Sequence, residues 1–219
     1  MQNWLFDVRS RPFLLLAALF IIMSVLVNAK VTAEFDLAAI TYFQENAGNH
    51  SLDLAMWIIT EIGAVWWLVL FSLVILIIRK TRRVGLILLL TLVAGTIAAG
   101  YIKGYVVDSP RPNLEFLGTE LPFEVGQDTF VLGTEGSFPS GHATRAASFA
   151  LIIGYVLSQR FPRGCYLIWI FPMLESISRV YVLQHYPMDV IGGTVFGILF
   201  AGVLGKKLKL FEYFKKSQA

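Results

Sequence analysis

The chain has 219 residues, of which 56% are hydrophobic and 15% are charged, and its mean hydropathy is +0.67. Soluble domains are typically about 45–50% apolar and about 25% charged, so this composition excludes an ordinary soluble domain and predicts an integral membrane protein. The formal net charge of +3 is too small to suggest a nucleic-acid-binding protein.

Apolar blocks in chain order predict an all-α membrane protein built as a bundle of six transmembrane helices. A bilayer-crossing helix needs about 20 mostly apolar residues, and each block reaches or approaches that length. A single domain covering residues 1–219 is the simplest organisation, because we find no internal repeat, low-complexity tract or linker. The predicted spans are residues 12–27, 54–78, 84–102, 141–157, 164–180 and 190–204.

Basic residues predict the orientation of the bundle. They cluster before the first span, between the second and third, between the fourth and fifth, and after the sixth, which places all four clusters on one side. Cytoplasmic loops carry such an excess, so we expect cytoplasmic termini, with the segments between these clusters on the extracytoplasmic side. The expected location is a bacterial or archaeal cell membrane. The clustered residues are Arg9, Arg11, Arg79, Lys80, Arg82, Arg83, Arg160, Arg163, Lys206, Lys207, Lys209, Lys215 and Lys216.

The predicted outer loops have a different composition. In the first of them, residues 35–43 place apolar side chains at roughly helical spacing, which suggests a short helix on the outer leaflet, although a solvated loop fits as well. The long outer loop of residues 103–138 has only Lys103 and Arg111 as basic residues. Its acidic residues are Asp108, Glu115, Glu120, Glu124, Asp128 and Glu135.

The tetrapeptide Pro139-Ser140-Gly141-His142 stands at the start of the fourth predicted span. Ser140 is a good N-cap, and Gly141 opens the helix that follows. The first backbone amides of a helix have no intrahelical acceptor, and together with the helix dipole they form an anion site. Gly141 would let a phosphate approach this backbone closely. Any serine-capped helix gives the same pattern, so the tetrapeptide alone is a weak signal.

The segment from Ser178 to Asp189 contains a second histidine, His185. Pro187 predicts that the sixth helix begins near it, which puts Asp189 in the first turn, where the dipole favours a carboxylate. Asp189 follows His185 by four residues, so its carboxylate can reach one imidazole nitrogen and aim the other outward as a nucleophile. For an isolated pair of this kind, an ordinary first-turn hydrogen bond is the better explanation.

Three cations, Lys103, Arg111 and Arg179, are predicted at the same membrane face as His142 and His185. Ionisable residues at membrane depth are costly and usually functional. Phosphoryl transfer needs groups that position the phosphate and neutralise its equatorial oxygens, and an arginine can bind two oxygens at once. The combination therefore predicts a phosphate-ester site at the outer ends of the helices.

With these motifs the sequence resembles the type 2 phosphatidic acid phosphatase superfamily, which also includes vanadium-dependent haloperoxidases. The family pattern is a lysine followed by Arg-Pro, then Pro-Ser-Gly-His, then Ser-Arg-x5-His-x3-Asp. The second and third parts match in full, and the first has seven residues between lysine and arginine where the family usually has six. The matching residues are Lys103, Arg111-Pro112, Pro139-Ser140-Gly141-His142, Ser178-Arg179, His185 and Asp189.

The resemblance implies a role for each of these residues. His185 would attack phosphorus and form a phosphohistidine, Asp189 would orient it, and His142 would protonate the leaving alkoxide and then activate water. It implies no cofactor and no metal, and the scattered acidic residues of the outer loop show no metal-ligand spacing. The residues implied to hold the phosphate are Lys103, Arg111, Ser140, Gly141 and Arg179.

Two further charged residues lie outside the family pattern. Arg145 follows His142 by three residues and should share its helical face, where it either contacts the lipid head group or a second phosphate or snorkels to the membrane surface. Glu175 precedes Arg179 by four residues, a favourable ion-pair spacing, so it either steadies Arg179 or serves helix packing.

The sequence thus predicts a metal-independent lipid phosphatase that hydrolyses a phosphomonoester or diphosphate of a membrane lipid. Candidate substrates are phosphatidic acid, phosphatidylglycerophosphate, polyprenyl diphosphate and phosphorylated lipid A; the bilayer and this lipid are the expected partners, and no protein partner can be inferred. A lipid phosphotransferase with the same site is the main alternative. A non-catalytic lipid binder or transporter is disfavoured by the pair His142 and His185, and the apolar blocks exclude a soluble haloperoxidase.

Overall fold

The computed structural model describes residues 4–45, 49–112 and 136–212. Within these ranges the regular structure is helical apart from one isolated β-bridge, which confirms the all-α prediction for this part of the chain. The helices are α1 (Arg11–Asn28), α2 (Ala33–Glu45), α3 (His50–Ile62), α4 (Val65–Ile77), α5 (Arg82–Tyr105), α6 (Gly141–Ser158), a 3-10 helix (Gly164–Trp169), α7 (Ile170–Tyr181) and α8 (Pro187–Lys207).

Several helices are long and apolar enough to cross a membrane. In the described residues α1, α5 and α8 each meet this condition, and α3 with α4 forms a fourth candidate if the bent pair counts as one span. The most exposed of them is α1, because only 11% of its apolar window is buried inside the protein. A helix that is apolar on its exposed faces is suited to contact with lipid.

Helix α6 lies inside the bundle, and most of its residues are buried, including Thr144 and Ser148. The hydroxyl of Thr144 donates to the carbonyl oxygen of Gly193 at 3.1 Å, and that of Ser148 donates to the carbonyl oxygen of Gly197 at 3.2 Å. Both acceptors belong to α8. Hydrogen bonds of this kind join helices without an apolar interface, which is a common arrangement in membrane proteins.

Close packing of α8 on α6 determines where the two histidine segments meet. A Cβ atom added at Gly193 would lie 2.5 Å from the carbonyl oxygen of Ser140, and one at Gly197 would overlap the carbonyl oxygen of Thr144. Glycines at this spacing let two helix backbones approach closely. The contact brings the N-terminus of α6 beside the first turns of α8.

Two of the predicted spans are wrong as single continuous α-helices. Residues 54–78 belong to α3 and α4, which are bent by 52° where Gly63 and Ala64 interrupt the helix. Residues 164–180 begin as a 3-10 helix and become α-helical only at Ile170. Pro172 is consistent with this start, because a proline fits the first turn of an α-helix but kinks or breaks a helix in its interior. The other four predicted spans agree with α1, α5, α6 and α8 to within three residues at each end.

The outer segments are described only in part. Residues 35–43 lie within α2, so the helical alternative is confirmed for this stretch. An antiparallel bridge between Pro110 and Gly136 joins the two described ends of the long outer loop. Several residues of the predicted outer loop and cytoplasmic tail lie outside the described residues: Glu115, Glu120, Glu124, Asp128, Glu135, Lys215 and Lys216.

Candidate active site

The N-terminus of α6 has the predicted capping geometry. Ser140 is the N-cap, and its Oγ accepts a hydrogen bond of 3.4 Å from the backbone amide of Ala143. Its own backbone amide donates to the carbonyl oxygen of Asp189 at 2.9 Å, which ties this end of α6 to the first turn of α8. Gly141 and His142 are the first two helical residues, where backbone amides have no intrahelical acceptor. The cap therefore presents amide donors beside a buried imidazole.

The first turn of α8 also agrees with the prediction. Pro187 is its first residue, and Asp189 stands in the first turn. The Oδ2 atom of Asp189 accepts a hydrogen bond of 2.8 Å from the backbone amide of Tyr186, the residue that caps the helix. This bond turns the carboxylate back towards the segment that carries His185.

The expected direct bond between His185 and Asp189 is wrong. His185 Nδ1 lies 3.6 Å from Asp189 Oδ2, which is too long for a hydrogen bond. The two residues are not related by a helical turn, because α8 begins only at Pro187. The Ser137 hydroxyl lies between them: it donates to Asp189 Oδ2 and stands 3.2 Å from His185 Nδ1.

Ser137 was missed by the sequence reasoning, and its position comes from the loop before α6. Its backbone amide donates to the carbonyl oxygen of Ser109 at 2.7 Å, next to the bridge between Pro110 and Gly136. Ser137, His185 and Asp189 are exposed by 0%, 1% and 1% of their surfaces. The only sequence signal is that Ser137 lies three residues before Ser140, and a serine beside a motif has no distinguishing pattern.

The predicted cations lie near His185. Arg111 Nη1 donates to Gln184 Oε1 at 3.1 Å, directly before His185 in the chain. Arg179 Nη1 donates to Thr60 Oγ1 at 3.0 Å, and Arg179 is 2% exposed. Lys103 lies in the last turn of α5, where its side chain packs against Gly136.

The extra residue between Lys103 and Arg111 is accommodated after the helix. Helix α5 ends at Tyr105, and the amide of Asp108 then donates to Asn28 Oδ1 at 3.1 Å. The chain enters the bridge with Gly136 at Pro110. Despite the longer spacing, Lys103 lies close enough for its charge to act on His185.

The charge of these cations acts on His185. Burial lowers the pKa of the His185 imidazole well below its usual value, and nearby positive charges lower it further, so the ring is neutral near pH 7. In decreasing order of effect the cations are Lys103, Arg179, Arg111 and Arg145. A neutral imidazole surrounded by four cations is suited to attack on an anionic phosphate.

Arg145 and Glu175 are both buried. A Cβ atom added at Gly141 would meet Arg145 Nη1 at 3.3 Å, so the guanidinium lies beside the start of α6, and Arg145 is 2% exposed. This burial does not fit snorkelling to the membrane surface, and the expected contact with a head group or a second phosphate stays a prediction. The Glu175 carboxylate packs against Gly63, at the bend between α3 and α4. It shares a buried face of α7 with Arg179, and its expected effect on that arginine stays a prediction.

Three polar contacts from α2 and α3 hold the elements that carry the site, and no sequence pattern predicts them. One is the bond from Arg179 to Thr60. The others are a bond of 3.0 Å from the Met188 amide to Asp36 Oδ1 and one of 2.5 Å from the Tyr181 hydroxyl to Asp53 Oδ1. Burial raises the pKa of Asp36, while its bonds from Met188 and Thr32 lower it.

Within residues 4–45, 49–112 and 136–212, we find no group of three or more His, Cys, Asp or Glu side chains that could hold a metal ion. The expectation of metal-independent chemistry stays a prediction.

Comparisons with known proteins agree with the predicted resemblance. The model of the PAP2 superfamily matches residues 84–209, which is more than half of the chain. An undecaprenyl-diphosphatase of Sulfolobus acidocaldarius is 27% identical over 196 residues, which cover 86% of this chain and 87% of that protein. The undecaprenyl-diphosphatase BcrC of Bacillus subtilis is 30% identical over 153 residues, with coverages of 69% and 72%.

A solved structure has the same fold along nearly the whole chain. It is the transmembrane PAP2-type phosphatidylglycerolphosphate phosphatase of Bacillus subtilis, with a TM-score of 0.72 and 25% sequence identity. The match covers 91% of this chain and 95% of that one. Together with the apolar helices, this similarity identifies the chain as an integral membrane protein.

Proposed function

The chain belongs to the PAP2 superfamily of lipid phosphatases, and from that premise we propose that it hydrolyses a membrane lipid phosphate through a phosphohistidine on His185. The observation that carries the proposal is the meeting of His185, His142 and the start of α6 among four buried or half-buried cations. Such an arrangement binds a phosphate by positioning it and neutralising its charge.

In the first step of the proposed reaction, Nε2 of neutral His185 attacks phosphorus while the bond from phosphorus to the leaving oxygen breaks. His142, in its protonated form, gives its proton to that oxygen. A bound phosphate dianion favours the imidazolium form of His142, because an opposite charge nearby stabilises it. The products of this step are the free lipid alcohol, or the lipid monophosphate if the substrate is a diphosphate, and phospho-His185.

In the second step, neutral His142 takes a proton from water as the water oxygen attacks phosphorus. The bond between phosphorus and Nε2 breaks, inorganic phosphate leaves, and both histidines return to their starting forms. Lys103, Arg111 and Arg179, with the first amides of α6, bind the phosphoryl oxygens in both steps. Arginine suits this role because its planar guanidinium can bind two oxygens together.

Among lipid phosphates we propose a polyprenyl diphosphate or phosphatidylglycerophosphate as the substrate. The support comes from relatives of both kinds, two named undecaprenyl-diphosphatase and one named phosphatidylglycerolphosphate phosphatase. Arg145 favours the diphosphate, because it adds a buried cation beside Gly141 that could bind a second phosphate.

Arg145 also gives a test of the diphosphate preference. We expect Arg145→Ala to lower kcat/KM by about tenfold or more for a polyprenyl diphosphate and much less for the monophosphate. Arg145→Lys keeps a positive charge in case the alanine variant does not fold. If Arg145→Ala and Arg145→Lys both hydrolyse the diphosphate and the monophosphate as fast as the wild-type protein does, Arg145 binds no second phosphate.

We further propose six membrane spans with the active site outside the cell. Helix α6 and the segment from the 3-10 helix through α7 each contain 18 residues, and an 18-residue α-helix is about 27 Å long, close to the bilayer core. Ion pairs at the opposite end of the bundle support the placement of separate predicted cytoplasmic segments on one side, because they join basic residues of these segments to acidic partners. They are Lys206 with Asp7 at 2.6 Å and Arg83 with Glu212 at 3.1 Å.

Phosphate release from a panel of lipids tests the proposed function. The purified protein in detergent, with a chelator present, is given phosphatidic acid, phosphatidylglycerophosphate, polyprenyl diphosphate and polyprenyl monophosphate, and His185→Ala is the control. We expect release from at least one lipid that disappears in the variant. Release that needs added Mg²⁺, or that survives in His185→Ala, contradicts the mechanism. A lipid phosphotransferase would instead need an acceptor alcohol and would form a new phosphoester.

A further inference from the structure

We propose that the Ser137 hydroxyl, placed between His185 and Asp189, is the group that orients the nucleophilic imidazole. Ser137 is then a positioning residue, and Asp189 acts on His185 through it. This inference rests on the proposed function only in giving His185 the role of nucleophile. The hydrogen-bond arrangement itself follows from the contacts of the three side chains.

The single proton of the hydroxyl determines the direction of each bond. In the proposed arrangement Asp189 is ionised, and an ionised carboxylate can only accept hydrogen bonds, so Ser137 donates its proton to Asp189 Oδ2. Its oxygen, 3.2 Å from His185 Nδ1, is then left to accept. Nδ1 must therefore carry the ring hydrogen, which leaves the lone pair of the neutral imidazole on Nε2. This is the tautomer that the attack on phosphorus needs.

The hydroxyl has little freedom to point elsewhere. Ser137 is fully buried, and its backbone amide is held by the Ser109 carbonyl at 2.7 Å. On the other side, Asp189 Oδ2 is held by the Tyr186 amide at 2.8 Å. Two backbone contacts from different segments thus fix Ser137 and Asp189, and Ser137 in turn contacts Nδ1 of the His185 imidazole.

The same arrangement supports the positive charge that develops on His185 as its Nε2 bonds to phosphorus. The Nδ1 hydrogen stays on the ring, and the Ser137 hydroxyl, polarised by Asp189, accepts a stronger hydrogen bond from it. Removing the hydroxyl leaves Nδ1 with an uncompensated donor and lets the ring adopt the other tautomer. The loss should fall on kcat, because the cations that bind the substrate phosphate are not altered.

The tautomer can be observed directly, because the chain has only three histidines. In protein labelled with ¹⁵N-histidine, the spectrum of the neutral His185 ring should show a protonated Nδ1 and an unprotonated Nε2. Loss of these signals in His185→Gln assigns them. We expect Ser137→Ala to convert His185 to the Nε2-protonated form or to a mixture. An unchanged Nδ1-protonated spectrum in Ser137→Ala would overturn the inference.

Kinetics give the second readout. We expect Ser137→Ala to lower kcat by about 100-fold and to change KM by no more than about threefold. Ser137→Cys nearly keeps the size of the side chain but has a weaker hydrogen-bonding group, so its kcat should lie between those of the wild-type protein and Ser137→Ala. It replaces the alanine variant if that variant does not fold. Ser148→Ala is the matched control: this serine is 1% exposed, bonds only to a carbonyl of α8 among the contacts described, and should keep kcat within about twofold.

The two proposals can fail separately. If the wild-type protein hydrolyses lipid phosphates but Ser137→Ala and Ser137→Cys keep its kcat, the role of Ser137 is wrong and the proposed function stands. If the wild-type protein hydrolyses no lipid phosphate but its His185 tautomer depends on Ser137, the arrangement stands and the proposed function is wrong.

Discussion

The proposed reacting groups and the groups that hold them come from two different regions of the molecule. His142, His185 and Asp189 lie on or beside α6 and α8, within short motifs that can be recognised in the sequence. Asp36 and Thr60 belong to α2 and α3, which contain no motif, yet they bond to the first turn of α8 and to the α7 arginine. Chemistry restricts the residue types in the first region. In the second, many side chains could supply the same hydrogen bond, so no pattern identifies them.

The comparison predicts graded effects of substitution. Removing a reacting group deletes a chemical step, whereas removing a supporting hydrogen bond leaves the step in place with poorer geometry. Losing a buried hydrogen-bond partner typically costs about 1–3 kcal/mol, which corresponds to one or two powers of ten in an equilibrium or rate. The variants below are ordered by this expectation.

His185→Gln should have the largest effect, a loss of kcat of about 10⁴-fold or more, because no other group can take the place of the nucleophile. Phosphate release measures it, and a thermal melt checks that the variant is folded. His50→Gln, at the exposed start of α3, is the matched control and should keep wild-type activity. Substantial activity in His185→Gln would show that His185 is not a reacting group and would contradict the proposed difference between the two regions.

Gly193→Ala should have the next largest effect, because the new methyl group would lie 2.5 Å from the Ser140 carbonyl oxygen. Helix α8 must then move away from α6 at the point where Ser140 and Asp189 are joined. We expect a destabilisation of about 1–3 kcal/mol and a large loss of kcat. Gly95→Ala is the control, since its methyl group would make ordinary contacts with two side chains, Phe200 at 3.4 Å and Thr144 at 4.0 Å. Equal melting temperatures and activities for the two variants would contradict this packing.

Thr60→Val should lower kcat/KM by about tenfold, because it removes the hydroxyl that accepts from Arg179 and keeps the shape of the side chain. Thr91→Val is matched to it: Thr91 is equally buried, but its hydroxyl donates to the Ile87 carbonyl of its own helix. If Thr60→Val is as active as Thr91→Val, then α3 has no part in positioning the α7 arginine.

The pH dependence of stability should show the smallest effect. The pKa of His185 is lowered in the folded protein, whereas an unfolded histidine binds a proton below about pH 6.5. At this residue the unfolded state therefore binds more protons below that pH, so the contribution of His185 to stability should fall as the pH decreases through it. Thermal melts between pH 8 and pH 5 measure this, and His185→Gln should show a shallower decrease. An identical slope in the two proteins would mean that His185 takes up a proton freely in the folded state.

The roles predicted for the motif residues stay predictions, whereas the sequence was sufficient for the helical class and for the bounds of four of the six predicted helices. These features depend on local properties: apolar block length, capping chemistry and the proline that starts α8. The bend at Gly63 and the position of Ser137 between His185 and Asp189 could not be predicted, because they depend on contacts between segments far apart in the chain. The direct bond expected between His185 and Asp189 was wrong for the same reason, because Ser137, which stands between the two side chains, comes from a distant segment of the chain.

Trapping the covalent intermediate tests the central claim most directly. A lipid phosphate labelled with ³²P is mixed with the protein, the reaction is quenched in alkali on the millisecond timescale, and the labelled peptide is identified. We predict protein-bound label that appears before free phosphate, is stable in alkali and labile in acid, and lies on His185. Label on another residue, or rapid hydrolysis with no transient label on the protein, would contradict the account.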